Sequence, residues 1–563
     1  MSSVLSNILG RVNEVMLNDK QVLDPQERNE LLKTAEKLAS NYAIEACCAY
    51  GSKVAGYARL DSDYDLLLIL KNYGHVIKYL YEKNNLDVSV LIVDSKSLVK
   101  DAENALLGEF AVGRLLHPYE SLINMDYLAA VEKRYKKRVV LEELRELVAT
   151  DALYSELLIP FNFFLYSKLH KRAKIYPHAL YSYTNTYSDE HGRKNLEKSR
   201  KGFMLALQEL EKEGYVKLDN GFVKILEGKI RINSGDKTML KMSNAMRGMF
   251  SWLVHTYAGR RTLNFVKQEA KSKLNRLKTI RNIPMELERP GSLLKLEEGI
   301  RVDGEEWVNE VATKLNFRDY SITQRKLGDL HAATTLYTIS ESGRTEKLVV
   351  KHLANIRAVK WTAVNVWAVG VKKFDVDPAS RLRREYRALR YLRSIGLNTP
   401  DVVACAPYKK LLITRYIEGL KLSEIIESVL SNKADDTSSI TRWGQILQIL
   451  HAKGHTLMDA KASNILLCGN RLYLTDLEQF AFDDDKGWDI ACFIYYSMKF
   501  TSNEKGARRV VRSFIDGYLQ NGNVTIVEKA LNKKYISPFY LTLVLGIITA
   551  VRNEIKSCIN AYS

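Results

Sequence analysis

The stretch His451-Ala-Lys-Gly-His-Thr-Leu-Met-Asp-Ala-Lys-Ala-Ser-Asn-Ile-Leu-Leu467 decides how this 563-residue chain is read. It places Asp459, Lys461 and Asn464 within one short loop. Gly469-Asn470 then reads as a tight turn, Arg471 to Thr475 as a strand, and Asp476 follows twelve residues after Asn464. Two strands joined by a tight turn bring Asn464 and Asp476 to one place. Phosphoryl transfer needs a carboxylate to orient an attacking hydroxyl and a cation to approach the terminal phosphate. It also needs two oxygen-bearing side chains for a divalent metal. Asp459, Lys461, Asn464 and Asp476 supply that set.

The elements upstream come in a matching order. Lys347-Leu-Val-Val-Lys351 ends a β-prone run, and Glu385 sits on an amphipathic helix within Arg381-Leu-Arg-Arg-Glu-Tyr-Arg-Ala-Leu-Arg390. Pro400 follows Ile395-Gly-Leu-Asn-Thr, and Leu411-Leu-Ile-Thr-Arg-Tyr-Ile-Glu-Gly419 reads as a strand and hinge. Together these motifs resemble the protein-kinase catalytic core. Over about residues 320–500 they are similar to the small atypical kinases that include the KEOPS-complex kinase and the RIO kinases. The resemblance implies ATP and Mg2+ as cofactors. It implies that Lys351, paired with Glu385, holds the α- and β-phosphates, and that Asn464 and Asp476 bind magnesium. Asp489, in Lys486-Gly-Trp-Asp-Ile-Ala, looks like a structural aspartate. Three departures stand out: Met458 before Asp459, Asp476-Leu-Glu478 where Asp-Phe-Gly is usual, and a phosphate-covering loop, Lys326 to Ala333, whose sole glycine is Gly328. A pseudokinase that binds ATP and scaffolds is the alternative to catalysis.

Charge is distributed unevenly. The chain carries 84 Lys plus Arg against 66 Asp plus Glu, a formal net charge of +18. Residues 1–160 are net −5, residues 161–290 net +14 and residues 291–563 net +9. Concentration in the middle favours a polyanion-binding module, a nucleic acid above all, over a lysine-rich solvated surface. With 46% hydrophobic and 27% charged residues, the composition excludes a disordered or collagenous chain.

In the acidic first module, residues 1–120, Asp24-Pro25 begins a helical stretch, a cap followed by proline at the first helical position. A strand-like run, Ile44 to Tyr50, precedes Gly51-Ser52. Asp63 and Asp65 lie two apart at the head of an apolar strand and so share a face. Asp87 opens the next strand. Three carboxylates on adjacent strands can hold two divalent metals, and a Gly-Ser turn admits a triphosphate to backbone amides. The pattern resembles the polymerase-beta-like nucleotidyltransferase superfamily. That implies magnesium on Asp63, Asp65 and Asp87 and triphosphate contacts from Gly51 and Ser52. Strand-edge acids that only block aggregation, or a retained fold that grips RNA without turnover, remain open.

In residues 121–290, a basic run at Arg134, Lys136, Lys137 and Arg138 leads into a helical region expected to reach Lys174. An aromatic stretch, Tyr176 to Tyr187, precedes a basic helix from Asn195 to Glu213, stopped by Gly214. Asp219-Asn-Gly221 between two β-prone runs predicts a hairpin. Helices followed by a hairpin give the layout of a winged helix. There Arg193, Lys194, Lys198, Arg200 and Lys201 would contact RNA phosphates. Tyr181, Tyr183 and Tyr187 would either stack on bases or serve as core. A further basic helical run is expected from His255 to Lys278, before breakers at Pro284 and Pro290-Gly291.

Six cysteines without a Cys-x-x-Cys spacing read as buried thiols of a reducing compartment. No signal peptide is evident at Met1 to Asn7, and the longest apolar run, Phe539 to Val551, is too short to span a bilayer; a cytoplasmic protein with no membrane partner is expected. The fold class expected is multidomain α+β. It comprises a nucleotidyltransferase-like α/β domain (1–120), a helical and winged-helix RNA-binding domain (121–290) and a bilobal protein-kinase-like domain (291–563). The domain order resembles the archaeal tRNA kinase family, which implies phosphorylation of a ribose 2′-hydroxyl in tRNA, with Asp459 orienting the hydroxyl and Lys461 steadying the phosphoryl group. Two rivals stay open: a Ser/Thr protein kinase of the KEOPS/RIO-like lineage, and a nucleotidyltransferase acting on RNA or protein.

Overall fold

Asp24 caps the first described helix as its neighbours predict. Its Oδ1 accepts from the backbone N–H groups of Gln26 and Glu27 at 2.8 Å, and the Glu27 carboxylate accepts from the Asp24 N–H at 3.1 Å, a reciprocal cap. The computed structural model describes residues 22–83, 85–177, 179–230, 283–327, 334–353, 374–482 and 485–563. The basic run His255 to Lys278, the loop from Gly328 to Ala333 and the stretch Met1 to Asn7 lie outside the described residues. The chain divides into two units, one of residues 1–150 with 157–295 and one of residues 151–156 with 296–563.

In the first unit, helix α1 (Pro25–Ala39) packs Leu31 and Ala35 onto a five-stranded sheet. Its strands are β1 (Ile44–Tyr50), β2 (Tyr64–Leu70), β3 (Ile77–Lys83), β4 (Asp87–Asp94) and β5 (Glu120–Ile123), in the order β3-β4-β2-β1-β5. A single-turn helix, α2 (Ser52–Ala55), follows β1. Strands β2 and β4 run parallel with Asp65 opposite Ser89, so Asp63, Asp65 and Asp87 come to the same end of neighbouring strands. The inward side chains Leu66, Leu68, Val90 and Ile92 are buried against α1.

Residues 95–225 of this unit form α3 (Ser95–Asn104), α4 (Met125–Thr150), β6 (Leu157–Pro160), α5 (Phe161–Ile175), α6 (Ala179–Tyr187), α7 (Asp189–Lys212), β7 (Val216–Asp219) and β8 (Phe222–Ile225). The helical region expected to reach Lys174 consists of two helices, α4 and α5. Pro160 has no N–H to donate and stands extended at the start of α5. The hairpin forms as predicted, with Asn220 and Gly221 both at positive φ, and β6 adds to β8. Tyr183 and Tyr187 are buried and stack with His117, so for these two the core reading holds.

Part of the basic charge in this region is paired internally. Glu109 takes Lys168 at 2.7 Å, Arg138 at 2.8 Å and Arg172 at 3.2 Å, while Lys136 lies 2.6 Å from Glu132. Burial raises the Glu109 carboxyl, but these three cations more than reverse it and hold it well below the usual range. Glu109 thus neutralises Lys168 and Arg172, two bases of the net-positive residues 161–290.

The second unit begins with a six-stranded sheet of β9 (Ile300–Arg301), β10 (Ser321–Leu327), β11 (Thr334–Glu341), β12 (Arg344–His352), β13 (Val402–Ala406) and β14 (Leu411–Arg415), ordered β9-β13-β14-β12-β11-β10. Helix α8 (Pro378–Ser394), capped by Asp377 with proline in its first turn, lies in the chain between β12 and β13. Helices α9 (Ser438–Ala452), α10 (Lys486–Ser497), α11 (Glu504–Leu519) and α12 (Leu545–Tyr562) follow. A hairpin of β15 (Ile465–Cys468) and β16 (Arg471–Leu474) falls between α9 and α10. All six cysteines are free, five of them buried and Cys468 half-buried. No described helix is long and apolar enough to cross a membrane.

Candidate active site

Lys351 is the penultimate residue of β12, fixed by ladders to Thr334 on β11 and Leu412 on β14. Its Nζ lies 2.6 Å from Glu385 Oε2 on α8, and both residues are buried. The same ammonium contacts Asp476 Oδ1 and stands 3.5 Å from Glu478 Oε2. Burial pushes the Glu385 carboxyl above its ordinary range; Lys351 opposes this, and Asp476 and Glu478 reinforce it. Oxygen atoms of Glu385, Asp476 and Glu478 all lie within 4.8 Å of one another.

Two of these participants were not assigned from sequence. Glu478, the acid at the end of Asp476-Leu-Glu478, is 1% exposed and accepts from Arg381 Nη1 at 3.2 Å. Arg381 is itself fully buried. The signal was present: Arg381, Glu385 and Leu389 recur every four residues on one stripe of α8, and all three are buried.

The loop carrying Asp459 is held from behind by Asp489 on α10. Its carboxylate is fully buried and accepts from the Leu457 N–H at 2.6 Å and the Met458 N–H at 2.8 Å. His451 on α9 lies 3.3 Å from the same carboxylate, and Trp488 Nε1 donates to the Met458 carbonyl at 2.7 Å. Met458 has φ +63° and Asp476 φ +56°, so both ends of the site use left-handed backbone at a non-glycine residue. Such conformations persist where surrounding contacts over-determine them.

Asp459 Oδ1 lies 2.5 Å from Lys461 Nζ. Burial disfavours the Lys461 charge, but Asp459 outweighs it and raises the ammonium above its ordinary range. Asn464 Nδ2 donates to the Asp459 carbonyl at 3.0 Å, and Thr475 returns its N–H and hydroxyl to the Asn464 carbonyl at 2.9 and 2.8 Å. The β15–β16 hairpin thereby latches Asn464 beside Asp476. Asp459, Lys461, Asn464, Thr475 and Asp476 line one pocket, and Asp476 joins it to the Lys351–Glu385 pair. Oxygen donors from Asn464 and Asp476 suit a hard divalent cation.

In the first unit, Gly51 has φ +82°, and a Cβ there would come within 2.1 Å of Asp65 Oδ2. Only glycine lets the backbone pass this close. Ser52 begins α2 beside it. Ser89 donates to Asp63 Oδ2, and Asp87 bonds the Tyr81 hydroxyl. Burial pushes the Asp65 carboxyl up to about 7, with Asp63 adding to the rise and Arg114 opposing it. The five basic residues singled out for RNA lie together on α7. Arg193 and Lys194 are exposed, whereas Lys198, Arg200 and Lys201 are half-buried, Arg200 with Glu197 at 3.3 Å and over the Phe161 ring.

No protein-family model matches the chain. Over 157 residues it is 30% identical to a protein of Methanosarcina acetivorans named "Probable bifunctional tRNA threonylcarbamoyladenosine biosynthesis protein", covering 27% of this chain and 26% of that one. A protein of the same name from Methanosarcina barkeri is 27% identical over 218 residues, 38% of this chain and 35% of that one. The KEOPS complex subunit Bud32 of Pyrococcus abyssi is 27% identical over 142 residues, 24% of this chain and 63% of the subunit. The chain thus spans about a quarter to a third of the length of the two bifunctional relatives. Among solved structures it is similar to WaaP in complex with acyl carrier protein, with 12% identity and a TM-score of 0.25, over 46% of this chain and 98% of that one. The aminoglycoside phosphotransferase APH(4)-Ia gives 14% identity and a TM-score of 0.24, over 45% of this chain and 96% of that one.

Proposed function

We propose that the chain is an ATP-dependent RNA kinase that transfers the γ-phosphate of ATP to a ribose 2′-hydroxyl of tRNA. The observation that carries the transfer chemistry is the meeting of Asp459, Lys461, Asn464 and Asp476 in one pocket that Asp476 shares with the Lys351–Glu385 pair. In this reading Lys351, oriented by Glu385, holds the nucleotide phosphates. Asp459 accepts a hydrogen bond from the acceptor hydroxyl and takes its proton as the oxygen bonds to the γ-phosphorus. The bond from that phosphorus to the bridging oxygen breaks, and ADP leaves with the electron pair. Lys461 counters the charge on the phosphoryl oxygens. Asn464 and Asp476 would hold magnesium, which neutralises the β- and γ-phosphate oxygens when bound.

RNA as acceptor is supported by the positive middle segment and by relatives whose names place them in tRNA modification or in the KEOPS complex. The first unit is read as a nucleotidyltransferase-like fold with a winged-helix-like portion, which together grip the RNA through Arg193, Lys194, Lys198, Arg200 and Lys201. Gly51 packed against Asp65 beside Asp63 favours a second reading for that unit, magnesium held by Asp63, Asp65 and Asp87 with a triphosphate at Gly51 and Ser52.

ATP labelled at either the α- or the γ-phosphate, given with magnesium and tRNA or total protein, separates these readings. γ-Label on tRNA is the expected result. α-Label on RNA or protein would replace the proposal with nucleotidyl transfer, and γ-label on protein alone would replace it with a protein kinase. Replacing Lys198 and Arg200 together by glutamate is expected to weaken tRNA binding. The slope of log affinity against log salt should fall by about two, since each phosphate contact contributes about 0.9. An unchanged slope in filter-binding titrations would remove α7 from the RNA grip.

A further inference from the structure

Past the end of α10, beside the loop that carries Asp459, lies a small aromatic and basic patch that the phosphoryl-transfer site does not use. Tyr496 closes the helix, and its ring is shared by two ammonium groups: Lys461 Nζ at 5.1 Å and Lys499 Nζ at 4.0 Å from the centroid. Lys461 is committed to Asp459. Lys499 has no carboxylate within ion-pair distance among the described residues, and it is half-buried. Burial and the neighbouring Lys461 charge both lower the Lys499 ammonium below its ordinary range. A cation that is half-buried, beside a second cation and without an acid of its own, is a place where an anion from outside is stabilised.

The next residue, Phe500, is 79% exposed and has φ +60°. Glycine or asparagine takes that conformation without penalty after a helix, while a bulky side chain rarely does. The ring gains no burial in return. Its backbone N–H donates to the Thr542 carbonyl at 3.0 Å, at the end of a segment whose Leu541 is 94% exposed. A strained phenylalanine presented to solvent next to a lysine that has no carboxylate partner among the described residues, with the acceptor-orienting aspartate close by, matches what an unpaired nucleotide requires. Such a nucleotide offers a phosphate for the cation and a flat base for the rings.

We infer that Lys499 and Phe500 form the docking site for an unpaired nucleotide of the acceptor RNA, with the backbone phosphate on Lys499 and the base on Phe500. This presents the nucleotide's ribose toward Asp459. The inference rests on the reading of the chain as an RNA kinase and adds where the acceptor strand lies. Charge selects the occupant: an apolar peptide would leave Lys499 unmatched.

The test uses the full chain and three variants, Lys499→Ala, Phe500→Asn and Phe500→Trp. Asparagine tolerates the backbone of residue 500, so Phe500→Asn keeps the fold and removes the ring alone. With γ-labelled ATP and total tRNA, Phe500→Asn and Lys499→Ala are expected to raise KM for tRNA about tenfold with a much smaller change in kcat, and Phe500→Trp to restore it. A short single-stranded oligoribonucleotide carrying an aminopurine base should lose fluorescence on binding the wild type, from stacking, and keep it with Phe500→Asn. Tenfold or greater loss of kcat at constant KM would overturn the docking role. If the wild type labels tRNA and neither variant moves KM or the fluorescence, the site is wrong while the RNA-kinase reading stands. If the wild type labels no RNA at all, the reading falls, and a stacking signal that Phe500→Asn leaves unchanged would overturn the docking site independently. A KM shift confined to a protein acceptor would overturn it in favour of a polypeptide.

Discussion

Asp459→Asn is expected to lower the rate of γ-phosphate transfer by about 10²–10⁴-fold, the range that a positioned general base supplies. Asparagine keeps the size of the side chain but accepts no proton and gives Lys461 no counter-charge. Two functions are lost in one substitution, because Lys461 sits 2.5 Å from the Asp459 carboxylate and keeps its raised proton affinity through it. Single-turnover transfer to tRNA is the measurement, with tRNA affinity determined in parallel so that lost chemistry is told apart from lost binding. Asp476→Ala is expected to fall into the same range, since it removes the magnesium ligand of the proposed mechanism and the residue that joins the Lys351 pair to the pocket. Transfer that survives both substitutions would sink the catalytic assignment.

Arg381→Met is expected to cost about 3–5 kcal/mol of stability, the price of a buried charge left without its partner. Arg381 and Glu478 are 0% and 1% exposed, and Glu478 already shares Lys351 with two other carboxylates. In a unit of this size that loss lowers the melting temperature by roughly 10 °C. Combining Arg381→Met with Glu478→Leu should recover most of it, because replacing both members of a buried pair with apolar groups is close to neutral. Thermal unfolding of the two variants beside the parent reads this directly. A single variant within about 1 kcal/mol of the parent would show that Glu478 is not held by Arg381.

The site in the second unit was largely legible before the structure because its motifs are local. Asp459, Lys461 and Asn464 occupy one loop, and a two-residue turn fixes how Asp476 returns to them. The Lys351–Glu385 pair needed only the end of a strand and one face of a helix, both readable from periodicity. Glu478 and Arg381 were harder. Their partnership is tertiary, and one arginine among several on α8 differs from the rest only by lying on the stripe of Glu385 and Leu389. In the first unit the sheet register that aligns Asp65 with Ser89 follows from the apolar runs, but the ion-pair network around Glu109 does not. Its acids and bases lie roughly thirty to sixty residues apart, so no window along the chain shows that they cancel.

The shared position of Lys351 has a consequence for how nucleotide would be taken up in the proposed reaction. One ammonium serves Glu385 and Asp476 together, and a phosphate that engages Lys351 competes with Asp476 for it. A divalent cation held by Asp476, as the proposed function has it, would leave the lysine to the phosphate. On the proposed reading, nucleotide and cation affinities would be thermodynamically linked, each tightening the other by the same factor, and their saturation curves should be measured as a pair.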